Sequence, residues 1–119
     1  MLLFKKKFLS AIAAGEKTQT IRLWNHRKMR PGQRSYIPGV GYIAIVGVDE
    51  VTLDRLSDAD AIPDGFPTAD ALRSEIQALY GARLAAGSKA FRVSFRVLDA
   101  AEQAIAVAER RAKKSAAKA

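Results

Sequence analysis

Gly15-Glu16-Lys17-Thr18-Gln19-Thr20-Ile21-Arg22 is the stretch from which the rest of the chain can be read. Before it, Phe8, Leu9, Ile12 and Ala13 mark one face of a helix spanning Lys6–Ala14, and glycine at 15 suits the position just past a helix end. After it, Thr18–Leu23 reads as a strand, with Thr20 and Arg22 on one face and Gln19 and Ile21 on the other. A lysine, a threonine and an arginine thus surround a helix-to-strand boundary. Lys17 has the wrong parity to join Thr20 in a continuous strand, so the two converge only if residues 15–17 are still turning. A boundary of this kind positions side chains for binding or chemistry rather than for core packing.

Outward from that stretch the chain alternates between α and β signals. Leu2–Phe4 is a possible short strand. Trp24–Gly32 is a basic loop closed by Pro31-Gly32, Arg34–Ile37 is a possible strand, and Gly41–Leu53 is one long strand or two broken near Gly47. Ser57 caps a short helix and Pro63–Pro67 is a turn. Thr68 caps a helix over Ala69–Tyr80 that Gly81 ends. In Ala90–Leu98 the apolar Phe91, Val93, Phe95 and Val97 alternate with Arg92, Ser94 and Arg96, as in a half-buried strand. Ala100–Ala119 is an Ala/Lys-rich helix or tail that loses its apolar face after Val107.

At 119 residues the chain is long enough for one modest core, and 49% hydrophobic content suits a globular domain. It has no cysteine, which excludes disulfides, thiolate nucleophiles and thiolate metal sites. The N-terminal Lys5-Lys6-Lys7 followed by apolar residues has the outline of a leader peptide. The helical spacing of that apolar run and its interruption by Ser10 favour a helix, so a cytoplasmic protein without membrane attachment is expected. Charge is uneven: residues 1–34 carry net +8, residues 35–99 net −3 and residues 100–119 net +3. A basic excess at both ends attracts polyanions or simply solubilises the surface.

Other chemistries find little support. Gly39-Val40-Gly41-Tyr42-Ile43-Ala44 has dinucleotide-loop spacing, but the segment from Tyr42 to Val48 is β-rich rather than helical. No Walker-type phosphate loop is present. The lone His26, beside Arg27 and Lys28, has no partner pattern for a triad. No metal site and no cofactor are expected. A hydrolytic site would therefore rely on a hydroxyl or water activated by lysine or carboxylate. Lys17 is a candidate base for Thr20 Oγ or a water, Asp64 a candidate to orient Lys17 or meet an exocyclic amine, and Arg22 a candidate for phosphate or developing charge. Trp24, Tyr36 and Tyr42 could supply a flat wall for a base. Each also has an ordinary structural reading: Thr20 as a β-former, Lys17 at a helix C-terminus, Asp64 in a turn, Trp24 in the core.

The pattern Gly15-x-Lys17-x-x-Thr20-Ile21-Arg22 resembles the signature of the ASCH domain family. The similarity continues through Arg30–Arg34, Val51–Ala61, Asp64-Gly65-Phe66 and Phe91–Val97, and so covers about residues 2–98. The resemblance implies an α+β chain: a PUA-like curved β-barrel flanked by helices, residues 1–98, with residues 99–119 as an added helix or tail. It also implies association with RNA. Some small bacterial members are amidohydrolases that deacylate N4-acylcytidines, and others are reported as ribonucleases. In the amidohydrolases the working residues are a lysine, a threonine and a glutamate. Lys17 and Thr20 match the first two, and the third position is Asp64, whose carboxylate is retracted by about 1.5 Å relative to glutamate. The expected catalytic set is therefore Lys17, Thr20 and Asp64. Arg22, Trp24, Arg27, Lys28, Arg34 and Tyr42 are candidates for binding substrate or nucleic acid. Three functions stay open: N4-acylcytidine amidohydrolase, non-catalytic RNA-binding module, and ribonuclease. The partners are a small nucleoside or RNA, and a monomer is expected.

Overall fold

The computed structural model describes residues 2–118. Four strands, β1 (Gln19–Trp24), β2 (Arg34–Ile37), β3 (Gly41–Val51) and β4 (Lys89–Val97), form one antiparallel sheet in the order β1-β4-β3-β2. The sheet curls into a half-barrel, as the curved α+β fold expected from the sequence requires. One bulge, between Ile45 and Gly47 of β3, shifts the register against β4. Such an extra residue increases local twist, which helps an otherwise flat sheet bend. The break expected near Gly47 is therefore a bulge within one long strand.

Four helices surround the sheet: α1 (Leu9–Ala13), α2 (Asp58–Ala61), α3 (Ala69–Ala85) and α4 (Ala100–Lys118). Both expected caps form. Ser57 and Asp60 make a reciprocal capping box on α2, and Thr68 accepts from the Ala71 amide on α3. Two expectations fail. Leu2–Phe4 is not a strand; its backbone is held by side chains instead, with Leu2 N–H donating to Ser35 Oγ (3.1 Å) and Arg22 donating to the Leu3 carbonyl (2.6 Å). Gly81 does not end α3. A glycine costs a helix only about 1 kcal/mol, and here the helix bends at Tyr80 (φ −129°, ψ 18°) and continues to Ala85.

The sheet buries apolar side chains on both faces. Phe91, Val93 and Phe95 of β4 join Ile43, Ile45, Ile37, Ile12 and Leu2 in one core. Ile21 and Leu23 of β1 join Leu56, Leu72 and Ile76 in a second core beneath α2 and α3. Strand β1 lies at the sheet edge between the two. Its even-numbered Thr20 and Arg22 pair with Val93 and Phe91 of the first core's strand face, and its odd-numbered residues point into the second. The Lys17–Arg22 stretch therefore sits at the seam between the cores. No helix among the described residues is long and apolar enough to cross a membrane.

Candidate active site

The turn after α1 sets Lys17. Gly15 adopts φ +77°, and the amides of Glu16 and Lys17 both donate to the Ala11 carbonyl (2.9 and 3.1 Å). The chain is thus still turning at residue 17, the condition under which Lys17 and Thr20 converge. The Thr18 amide then donates to the Pro63 carbonyl (2.8 Å), which ties this turn to the 3-10 turn Ile62–Asp64. Gly65 closes that second turn at φ +94°, beside the Lys17 stem. Two turns from distant parts of the sequence are clasped together, and Lys17 and Asp64 meet as a result.

Both residues are only 3% exposed. Lys17 Nζ donates to Asp64 Oδ1 at 2.8 Å and also to the Asp64 backbone carbonyl. The shorter aspartate still reaches the lysine because the clasp brings its own backbone within hydrogen-bonding distance of the amine. Gln19 Nε2 donates to Asp64 Oδ2 (3.3 Å) and to the Asp60 carbonyl (2.8 Å), so both carboxylate oxygens are engaged. Gln19 was legible only as a strand residue on the face opposite Thr20; nothing local marked its role. Arg22 Nε donates to Thr20 Oγ1 (3.1 Å), and its guanidinium lies 4.9 Å from the centre of the Phe4 ring. With the Leu3 carbonyl also bound, Arg22 serves as a strut that anchors the N-terminal segment beside Thr20.

Burial dominates the electrostatics. It pushes the Lys17 ammonium below lysine's ordinary 10.5, against the opposing pull of Asp64. It also raises the Asp64 carboxyl above its ordinary range, against the pull of Lys17 and Gln19. Both shifts favour the neutral forms. The Phe8 ring centre lies 4.7 Å from Lys17 Nζ, which offsets part of the cost of burying the cation.

Lys17, Thr20, Arg22 and Asp64 line one cavity of about 140 Å³. Its walls are mainly apolar: Phe4, Phe8 and Phe66 on one side, and Leu72, Ile76, Leu79 and Tyr80 of α3 on the other. At its mouth Glu75 pairs with Lys7 (3.0 Å) and Lys5 (3.8 Å), linking the N-terminal segment to α3. The other sequence candidates lie elsewhere. Trp24 packs on Phe91 (5.5 Å between ring centres) and, with Lys28, borders a separate depression near Arg83. Arg27 is exposed on the basic loop, while Arg34 and Tyr42 lie against α4. The aromatic wall expected from Trp24, Tyr36 and Tyr42 is instead built by Phe4, Phe8 and Phe66, from the segments that precede α1 and α3. Among the described residues, no group of three or more His, Cys, Asp or Glu side chains gathers as a metal site.

The backbone resembles several solved structures. An ASCH domain from Lactobacillus crispatus superposes with a TM-score of 0.64 at 14% identity, over 75% of this chain and 69% of that one. The chain has the ASCH fold. A protein from Enterococcus faecalis assigned to the DUF984 family shares it (TM-score 0.62, 18% identity, 78% of this chain and 71% of that one). So does a hypothetical protein, PH0355 (0.65, 14%, 81% and 95%). No family model and no curated protein sequence matches the chain. Within this ASCH fold the Lys17–Arg22 stretch forms the edge strand and the turn before it, bordering the cavity just described.

Proposed function

We propose that the cavity is an amidohydrolase site that takes the base of an N4-acylated cytidine. The observation that carries this reading is a desolvated lysine in a small aromatic-walled cavity, beside a hydroxyl and a carboxyl group. The volume of about 140 Å³ is well below the roughly 300–1,000 Å³ of pockets that enclose drug-sized ligands. It suits a single flat ring stacked among phenylalanines, with the sugar outside. A lysine held below its ordinary pKa has a larger neutral fraction near neutrality, as a general base requires.

In this reading neutral Lys17 accepts the Thr20 hydroxyl proton as Oγ attacks the acyl carbon. Arg22, already donating to that oxygen, favours its anionic character. The carbon–nitrogen bond breaks, and the proton passes from Lys17 to the departing N4 amine, releasing cytidine. Water, activated by the same lysine, cleaves the threonyl ester and releases the carboxylic acid. Asp64 holds the amine in position throughout. The test is incubation with N4-acetylcytidine, with cytidine followed by chromatography, beside Thr20→Val and Lys17→Met. Turnover by the wild type and loss in both variants is expected; a wild type that releases no cytidine at high protein concentration overturns the reading.

A further inference from the structure

Five charged side chains line the Lys17 cavity: Lys5, Lys17 and Arg22 against Asp64 and Glu75. Two of the cations are matched. Lys17 pairs with Asp64 (2.8 Å), and Lys5 faces Glu75 (3.8 Å), which Lys7 also reaches (3.0 Å). Arg22 is the remainder. Three arginines of the described residues are half-buried: Arg22, Arg73 and Arg92. Arg73 has Asp70 (2.8 Å) and Arg92 has Asp60 (3.3 Å), whereas no carboxylate among the described residues is in ion-pair contact with Arg22.

A guanidinium keeps its proton, so this charge is not relieved by neutralising the group. Burial lowers the Arg22 pKa below arginine's ordinary value, although Tyr80 and Asp64 act in its favour. Of its N–H donors, one meets Thr20 Oγ1 and one the Leu3 carbonyl, and neither acceptor carries a charge. Asp64 is not free to serve as the counterion, because Lys17 holds one of its oxygens and Gln19 the other. The surroundings are apolar: Phe4 lies against the guanidinium, and Phe66, Leu72 and Ile76 line the same cavity. An unmatched, fork-shaped cation in a small apolar cavity complements one class of ligand, a planar anion with a short apolar tail.

We infer that the cavity is a binding site for a short monocarboxylate, its carboxylate held by Arg22 beside Thr20 and its alkyl chain among Phe66, Leu72 and Ile76. The volume of about 140 Å³ leaves room for only a short tail. Inorganic phosphate fits less well, since it brings up to two charges for one unmatched cation and no tail for the apolar walls. Binding of the carboxylate stands apart from any reaction in the cavity. One consequence does rest on the amidohydrolase reading: the acid set free at Thr20 is itself such a ligand, released within reach of the guanidinium, and it competes with the next substrate.

The experiment is an NMR titration of the full chain, methyl-labelled, with sodium acetate, propionate and butyrate at constant ionic strength, and with acetamide and inorganic phosphate alongside. The Leu72 and Ile76 methyl signals are expected to move and those of Ile43, in the other core, to stay. Affinity should rise about fourfold for each added methylene. Acetamide, which has acetate's shape without its charge, should bind about tenfold more weakly or worse. Arg22→Lys keeps the charge, loses the two-pronged geometry and should weaken acetate about tenfold. The wild-type series decides even where that variant fails to fold. The inference is overturned by any of five results: no shift at Leu72 or Ile76, shifts confined to surface methyls such as Ile105, acetamide bound as tightly as acetate, phosphate bound more tightly, or a folded Arg22→Lys that binds acetate like the wild type. Cytidine release from N4-acetylcytidine, with and without added acetate, judges the reaction separately. Carboxylate binding without turnover keeps the site and removes the amidohydrolase reading; turnover without carboxylate binding does the reverse.

Discussion

Two regions of the molecule use basic residues in opposite ways. At the seam of the cores, Lys17 is enclosed, paired with Asp64 and covered by Phe8. Along α4, Arg110, Arg111, Lys113 and Lys114 stand in solvent. Burial lowers the first cation's pKa below lysine's ordinary value, against the pull of Asp64. Hydration leaves the others as carriers of charge whose reach is set by salt, about 10 Å at 0.1 M. A basic composition therefore says little until each cation's surroundings are known.

The contrast breaks most sharply when one partner of the buried pair is removed. Lys17→Met leaves Asp64 enclosed without its cation and should cost about 3–5 kcal/mol, whereas a well-packed neutral replacement of both partners is often close to neutral. Chemical denaturation of Lys17→Met, Asp64→Asn and the double variant measures this. The double variant should recover most of the lost stability and none of the turnover. On α4, Arg110→Ala/Lys113→Ala should stay within about 0.5 kcal/mol of wild type, as surface substitutions usually do. A buried pair whose separate removal costs no more than that would erase the distinction drawn here.

The pH profile sharpens the same point. If neutral Lys17 is the base, turnover rises with pH through the folded lysine's pKa, which burial sets below 10.5. Asp64 is the main group raising that value. Asp64→Asn should therefore move the rising limb to lower pH, whatever it does to the maximal rate. A limb that moves to higher pH, or stays fixed, removes Lys17 from the base role. Wild-type initial rates across pH 5–10 beside Asp64→Asn decide it.

The strands were legible because their alternation is local: Arg34–Ile37 is found as read, and Ala90–Leu98 is displaced by one residue. Lys17, Thr20 and Arg22 were legible together at a local helix-to-strand boundary, but the family resemblance was what tied Asp64 to them, since the clasp that brings it in is a tertiary contact between Thr18 and Pro63. The cavity walls were legible only in part. Phe8 and Tyr80 fall on helical segments already read from the sequence, whereas Phe4 and Phe66 come from segments with no extended period. Trp24 looked available for stacking because it follows the Lys17–Arg22 stretch closely in sequence, yet its ring lies on Phe91 of the neighbouring strand. Where Arg34 and Tyr42 lie depended on the docking of α4, which Gln103 decides through two bonds to a residue 61 positions away.

The smallest expected effect concerns how α4 begins. Asp99 and Glu102 form a reciprocal cap: the Glu102 amide donates to Asp99 Oδ1 (2.8 Å) and the Asp99 amide to Glu102 Oε1 (3.1 Å). Arg96 adds a two-pronged contact to the same carboxylate (2.8 and 2.7 Å). The Arg96 contact and the Asp99 amide hold the Glu102 carboxyl at about 2, down from 4.5. Its depressed value means that the folded state binds this proton less readily than the unfolded chain. The stabilisation is therefore fully present above about 4.5 and lost as pH falls through about 2. Because the site is exposed, the change should be modest and weakened by salt. Acid titration followed by circular dichroism at 222 nm should show a loss of helix in that window, and Glu102→Gln should flatten that part of the curve. The buried Asp64, shifted the opposite way, contributes with the opposite sign: its raised carboxyl favours the folded state as pH falls below its folded value. An acid limb unchanged by Glu102→Gln would mean that the side-chain bonds of Gln103 to the Tyr42 backbone, not the capping carboxylate, fix the start of α4.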